Sequence, residues 1–106
     1  MSRPLPPARL NLEARPYLPR HVIFRNDPAR ERWVLLAPER VLVPEPTAVA
    51  ILQRLDGKRS IQTLAQELAE IYAAPAELIA ADALEMLQDL ADRGFIRVKV
   101  EEPRDE

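Results

Sequence analysis

Catalysis needs nucleophiles, bases or metal ligands, and this chain of 106 residues holds few of them. It has two Ser, two Thr, one His and no Cys. Ser2 lies near the N-terminus, Ser60 sits where a helix needs a cap, and His21 has no partner at a useful spacing. A working nucleophile requires an adjacent base and a third group that orients it, so the inventory argues against an enzyme. Without Cys there are no disulfides, thiolate chemistry or cysteine metal sites. The two glycines each stand where a helix should stop and cannot build a phosphate cradle. Asp82, Glu85, Asp89 and Asp92 fall at i, i+3, i+7 and i+10, one face of a helix. Carboxylates in such a row do not converge on a cation as those of a calcium loop do; a solvated face is expected, with a docking surface as the alternative. No metal and no cofactor are expected.

Recognition is the remaining chemistry. The stretch from Ile51 to Leu68, ILQRLDGKRSIQTLAQEL, has the outline of helix, tight turn and second helix used by DNA readers. Phosphate neutralisation supplies most non-specific DNA affinity, yet the second helix presents Gln62, Gln66, Glu67 and Glu70. The third presents Glu77, Asp82, Glu85, Asp89 and Asp92 against Arg93. A DNA-binding winged-helix regulator is therefore the alternative reading, with Lys58, Arg59, Arg97 and Lys99 as its only backbone contacts. Charge is divided along the chain. Residues 1–40 hold eight Arg against four carboxylates, and residues 41–106 hold seven basic against thirteen acidic side chains. Two faces of opposite sign follow.

The elements that position these groups can be read from punctuation and period. Five of the eleven prolines fall in residues 1–20, where no hydrophobic period survives. Residues 1–18 are expected to be a flexible Pro/Arg-rich tail, with an arm packed on the domain or on a partner as the alternative. Val22–Phe24, Trp33–Ala37 and Val41–Val43 are apolar runs of strand type, with a type I turn expected over Ala37–Arg40. Pro44 and Pro46 end the third strand. Helical spacing follows at Ala48, Ile51, Leu52 and Leu55, with Thr47 as cap and Asp56-Gly57 as stop. Ser60 caps a second helix through Tyr72, and a third runs from Pro75 to Gly94. Phe95–Val100 alternates as an edge strand or wing would. The expected fold is α+β and winged helix-turn-helix-like: a three-stranded antiparallel meander, then a three-helix bundle, over residues 19–100. Residues 101–106 form an acidic tail. No apolar run is long enough to span a bilayer and no secretory leader is visible, so a cytoplasmic protein is expected.

A short edge strand beside an apolar helix groove can accept an extended peptide as a further strand. Val41–Val43 is the natural edge, and Ile79, Ala83, Met86 and Leu90 give the third helix more apolar surface than one core face requires, the alternative being that all four are simply core. Met86 suits a pocket that must adapt.

The segments Leu35-Leu36-Ala37-Pro38-Glu39-Arg40, Thr47-Ala48-Val49-Ala50-Ile51-Leu52 and Asp56-Gly57-Lys58-Arg59-Ser60-Ile61 resemble the pyrroloquinoline quinone biosynthesis protein D family. Asp82, Leu87-Gln88-Asp89-Leu90 and Arg93-Gly94-Phe95-Ile96 fit the same pattern, so the resemblance spans roughly residues 18–97. Similar domains also occur as recognition elements of other peptide-modifying pathways. The resemblance implies a non-catalytic peptide chaperone. It would bind a ribosomal precursor peptide by strand addition and present it to a radical S-adenosylmethionine enzyme that cross-links a Glu and a Tyr. The peptide would lie against Arg40, Val41, Leu42 and Val43 and the Ile79, Asp82, Ala83 and Met86 side of the third helix, with Asp82 able to take a basic residue. Pro44 and Pro46 depart from the family's longer apolar strand. Neither nucleic acid nor membrane is an expected partner, and the chain would be a monomer or a strand-swapped homodimer.

Overall fold

The computed structural model describes residues 9–99. Three strands form an antiparallel sheet in the order β2-β3-β4, comprising β2 (Ile23–Asp27), β3 (Arg32–Ala37) and β4 (Arg40–Leu42). Helices α1 (Pro46–Leu52), α2 (Ile61–Tyr72) and α3 (Ala76–Asp92) follow. A second, two-stranded sheet pairs β1 (Arg15–Tyr17) with β5 (Arg97–Lys99). The α+β class and the three helices are as expected from the sequence, but the single N-terminal meander is not the whole sheet content.

The correction comes from the N-terminal arm. Residues 9–18 do not behave as a flexible tail. Leu10, Ala14 and Pro16 are buried, and Pro16 pairs with Val98. The arm's carbonyls also cap α2. Ile61 N–H donates to the Ala14 carbonyl at 3.0 Å and Gln62 N–H to that of Leu12 at 2.9 Å. These are first-turn amides with no partner inside their own helix. Leu10 N–H donates to Gln88 Oε1 at 2.7 Å, which ties the start of the arm to α3. Proline-rich sequence without a period still packs when its main chain meets donors that another element must satisfy. Gly57 N–H closes the arrangement on the Pro16 carbonyl at 2.9 Å. Gly57 has φ +75, and a Cβ there would stand 3.4 Å from that of Tyr17. The tail residues 1–8 and the acidic tail 101–106 lie outside the described residues.

Several boundaries move for local reasons. The β3–β4 turn has Pro38 at its second position and Glu39 at φ 63 in its third. Positive φ there, after a proline locked near −65°, is the type II pattern and not the expected type I. Helix α1 opens at Pro46 after Glu45, with no side-chain cap, so Thr47 is not the cap. It also stops at Leu52, four residues before Asp56. Asp56 instead folds the next loop on itself by accepting from Lys58 N–H and Arg59 N–H at 2.8 and 2.9 Å. These two backbone donors, first Arg59 and then Lys58, favour the charged carboxylate and hold its pKa below the ordinary 3.8. The Ser60 cap is as expected, its hydroxyl accepting from Thr63 N–H at 3.1 Å. At the end of α3, Gly94 (φ 83) sends its N–H to the Ala91 carbonyl while Phe95 N–H reaches that of Leu90. This is a Schellman stop with its usual apolar contact, because Leu90 and Phe95 are both buried in the core.

The core draws on every element from the arm to β5. Leu35, Ile61, Ala83 and Leu87 are fully buried, with Ile51, Leu52, Leu68 and Ile96 packed around them.

Candidate functional site

A groove of about 770 Å³ opens between α3 and the segment that joins β4 to α1. On the α3 side it is lined by Ile79, Asp82, Glu85, Met86, Asp89, Leu90 and Arg93. The spacing is i, i+3/i+4, i+7, so the groove follows one stripe of the helix, about 21 Å from first to last residue. The opposite wall is Leu42, Val43, Pro44 and Glu45, then Thr47, Ala48 and Ile51 of α1. Leu68 and Tyr72 of α2 also line the groove. The floor is apolar because Ile51, Leu68 and Leu90 belong to the core.

β4 lies at an edge of its sheet, and register decides which of its groups are free. Ala37 pairs with Arg40, Leu36 with Val41 and Leu35 with Leu42. Across a two-residue connection the flanking pair, Ala37 and Arg40, is the one that exchanges both hydrogen bonds, and the pattern then alternates. Leu42 therefore bonds inward to β3, while the N–H and C=O of Val41 face the open edge. Val41 is 68% exposed. The two prolines that follow carry no N–H, so the edge is short.

Of the eight side chains expected at the site, Leu42, Val43, Ile79, Asp82 and Met86 line the groove together. Val41 stands beside it with its side chain on the outer face of the sheet. Arg40 does not line it. Its guanidinium donates to the Arg93 carbonyl and lies 5.8 Å from the centre of the Phe95 ring, fastening β4 to the end of α3. Ala83 corrects the expectation outright: it has no exposed surface and belongs to the core. On a helix of 3.6 residues per turn, one position past Asp82 turns inward.

The acidic row on α3 divides by role. Asp82, Glu85 and Asp89 line the groove. Asp92 instead accepts from Gln88 Nε2 at 3.0 Å, which holds Gln88 toward the N-terminal arm. Asp89 is paired with Arg93 at 3.1 Å. Asp82 and Glu85 have no ion pair or hydrogen-bond partner among the described residues. A separate network joins Glu67 to Arg54 at 2.9 Å and to Arg59 at 3.6 Å, fixing the α1–α2 loop away from the groove. Among the described residues no three metal-binding side chains converge, and no helix is long and apolar enough to cross a membrane.

Pro44, Glu45, Ala48 and Ile51 line the groove but were not among the expected site residues. For Pro44 and Glu45 the signal was present, since they form a short proline-bounded link between the edge strand and α1.

Comparison with known proteins gives a consistent picture. A family model for coenzyme PQQ synthesis protein D matches residues 32–96. A PqqA binding protein of Bradyrhizobium diazoefficiens is 53% identical over 83 residues, covering 78% of this chain and 81% of that protein. One from Xanthomonas axonopodis pv. citri is 42% identical over 86 residues, covering 81% and 94%. The solution structure of the PqqD portion of Methylobacterium extorquens PqqCD, a stand-alone recognition element for ribosomally synthesised, modified peptides, superposes with a TM-score of 0.73. It is 39% identical and covers 87% of this chain and 97% of that one. The crystal structure of PqqD from Xanthomonas campestris gives 0.55 at 36% identity, covering 92% and 98%.

Proposed function

The chain belongs to the coenzyme PQQ synthesis protein D family, and on that premise we propose that it binds the precursor peptide PqqA in pyrroloquinoline quinone biosynthesis without catalysing a reaction itself. The observation that carries the binding mode is the meeting of a free strand edge with an apolar groove. Leu42 belongs to β4 and also lines the groove. The peptide adds beside β4, exchanging hydrogen bonds with Val41, and lays alternate side chains onto Leu42, Val43, Ile79 and Met86. Main-chain bonds supply affinity and the groove supplies selectivity. Arg40 acts by holding β4 against α3, and Ala83 acts from the core behind the lining.

The β2–β4 sheet with its three helices then serves as a winged-helix-like frame for a peptide in place of DNA. The acidic face of α3 does not favour the DNA alternative. In this reading the cytoplasmic protein, as monomer or strand-swapped dimer, presents PqqA to a radical S-adenosylmethionine enzyme. Isothermal titration of the protein with synthetic PqqA tests the binding: a one-to-one isotherm in the micromolar range, about −8 kcal/mol, is expected. No heat and no saturation up to millimolar peptide would overturn it.

A further inference from the structure

We infer that the groove selects a peptide segment in which a Lys or Arg stands between two apolar residues at alternate positions, and that Asp82 and Glu85 receive the cation. The inference rests on the peptide-binding reading above and specifies which peptide chemistry fits.

The groove's charges are unevenly placed. Arg93 neutralises Asp89 at one end, whereas Asp82 and Glu85 line the groove with no counter-charge among the described residues. They stand at i and i+3, where like charges on a helix repel, so in the free protein the pair only costs stability. Next to an apolar floor of Ile51, Leu68 and Leu90, such a pair attracts a cation and repels an anion.

Spacing fixes the order of side chains. A strand places same-face residues about 7 Å apart. Along α3, at about 1.5 Å per residue, the midpoint of Asp82 and Glu85 lies about 7 Å past Ile79. The midpoint of Met86 and Leu90 lies about 7 Å beyond that. Three successive groove-facing peptide residues therefore meet an apolar, an acidic and a second apolar station. The pattern is apolar, cation, apolar at i, i+2 and i+4, and it reads the same in either strand direction. Asp82 and Glu85 are separated by about 4.5 Å along the axis, close enough for one ammonium or guanidinium to bridge both.

The test pairs an isosteric double variant, Asp82→Asn with Glu85→Gln, with synthetic PqqA in which Lys is replaced by norleucine, or Arg by citrulline, one position at a time. Amide chemical shifts of Leu42, Ile79 and Met86 report whether the groove is occupied. At low salt the double variant should bind parent peptide about five- to tenfold more weakly, the range for two partly exposed ion pairs, and the loss should shrink as salt is added. One neutralised peptide should show the same loss on the parent protein and no further loss on the variant. Its thermal stability should not fall, since a repulsion has been removed. If the groove shifts appear and the double variant binds like the parent, the cation preference is wrong and the peptide reading stands. If those shifts do not move with saturating peptide, both fail.

Discussion

Val41→Pro isolates the strand-addition step from the fold. Val41 is 68% exposed, so little apolar burial is lost, and its N–H faces the open edge, so no β3–β4 hydrogen bond is removed. Proline at an edge position of this kind is tolerated, and stability should change by less than about 1 kcal/mol. Binding is different. A peptide strand pairing at Val41 would exchange two hydrogen bonds there. Proline deletes one and leaves a peptide carbonyl without its donor, a cost of about 1–3 kcal/mol, or a loss of affinity from roughly fivefold to somewhat over a hundredfold. Leu42→Pro is the control, because the Leu42 N–H bonds inward. It should loosen the β3–β4 hairpin and lower Tm, whatever the peptide does. The assay is titration of both variants with synthetic PqqA alongside thermal unfolding. A Val41→Pro protein with parental Tm and parental affinity would refute strand addition at β4.

Other consequences follow from the same geometry. Ala73 caps α2 at φ 52, a region that costs a non-glycine residue energy, so Ala73→Gly should stabilise by about 0.5–1 kcal/mol and raise Tm by roughly 2–8 °C. Ala83→Arg should not yield a folded, peptide-blind protein. It places a cation in a site with no exposed surface and should lose cooperative unfolding in circular dichroism. Asp56 has its pKa lowered in the folded state, so its contribution to stability is full above its ordinary 3.8 and disappears as pH falls through the lowered value. The Tm of the parent should therefore drop more steeply with acid below about pH 4 than that of Asp56→Asn, and parallel acid profiles would contradict the Asp56 turn.

Helices α2 and α3 were legible because period and punctuation agree there, whereas α1 begins and ends away from its expected cap at Thr47 and stop at Asp56-Gly57. Ser60, Gly94 and the apolar stripes of α2 and α3 each do what their spacing says. The arm was not legible, since its order comes from carbonyls of Leu12 and Ala14 that satisfy amides of Ile61 and Gln62 nearly fifty residues away, and main-chain complementarity leaves no residue-type signal. The turn at Pro38-Glu39 was misread because a Glu at positive φ looks like an ordinary type I residue. At the site, sequence alone located the edge and the acidic side of α3. It could not tell that Ala83 turns inward while Asp82 and Met86 turn outward, because that depends on how α3 rotates against Ile51 and Leu90. Nor could it say which amides of Val41 and Leu42 are free, because that depends on the pairing register.

If PqqA occupies the groove between β4 and α3, the amide shifts of isotope-labelled protein will locate it there during titration with unlabelled PqqA. Saturable shifts are expected on Val41, Leu42, Val43, Ile79, Asp82 and Met86, with Glu67, Arg59 and the β1–β5 sheet nearly unmoved. Saturable shifts centred on the Arg54–Arg59–Glu67 network or on β1–β5, with the groove residues silent, would contradict that placement.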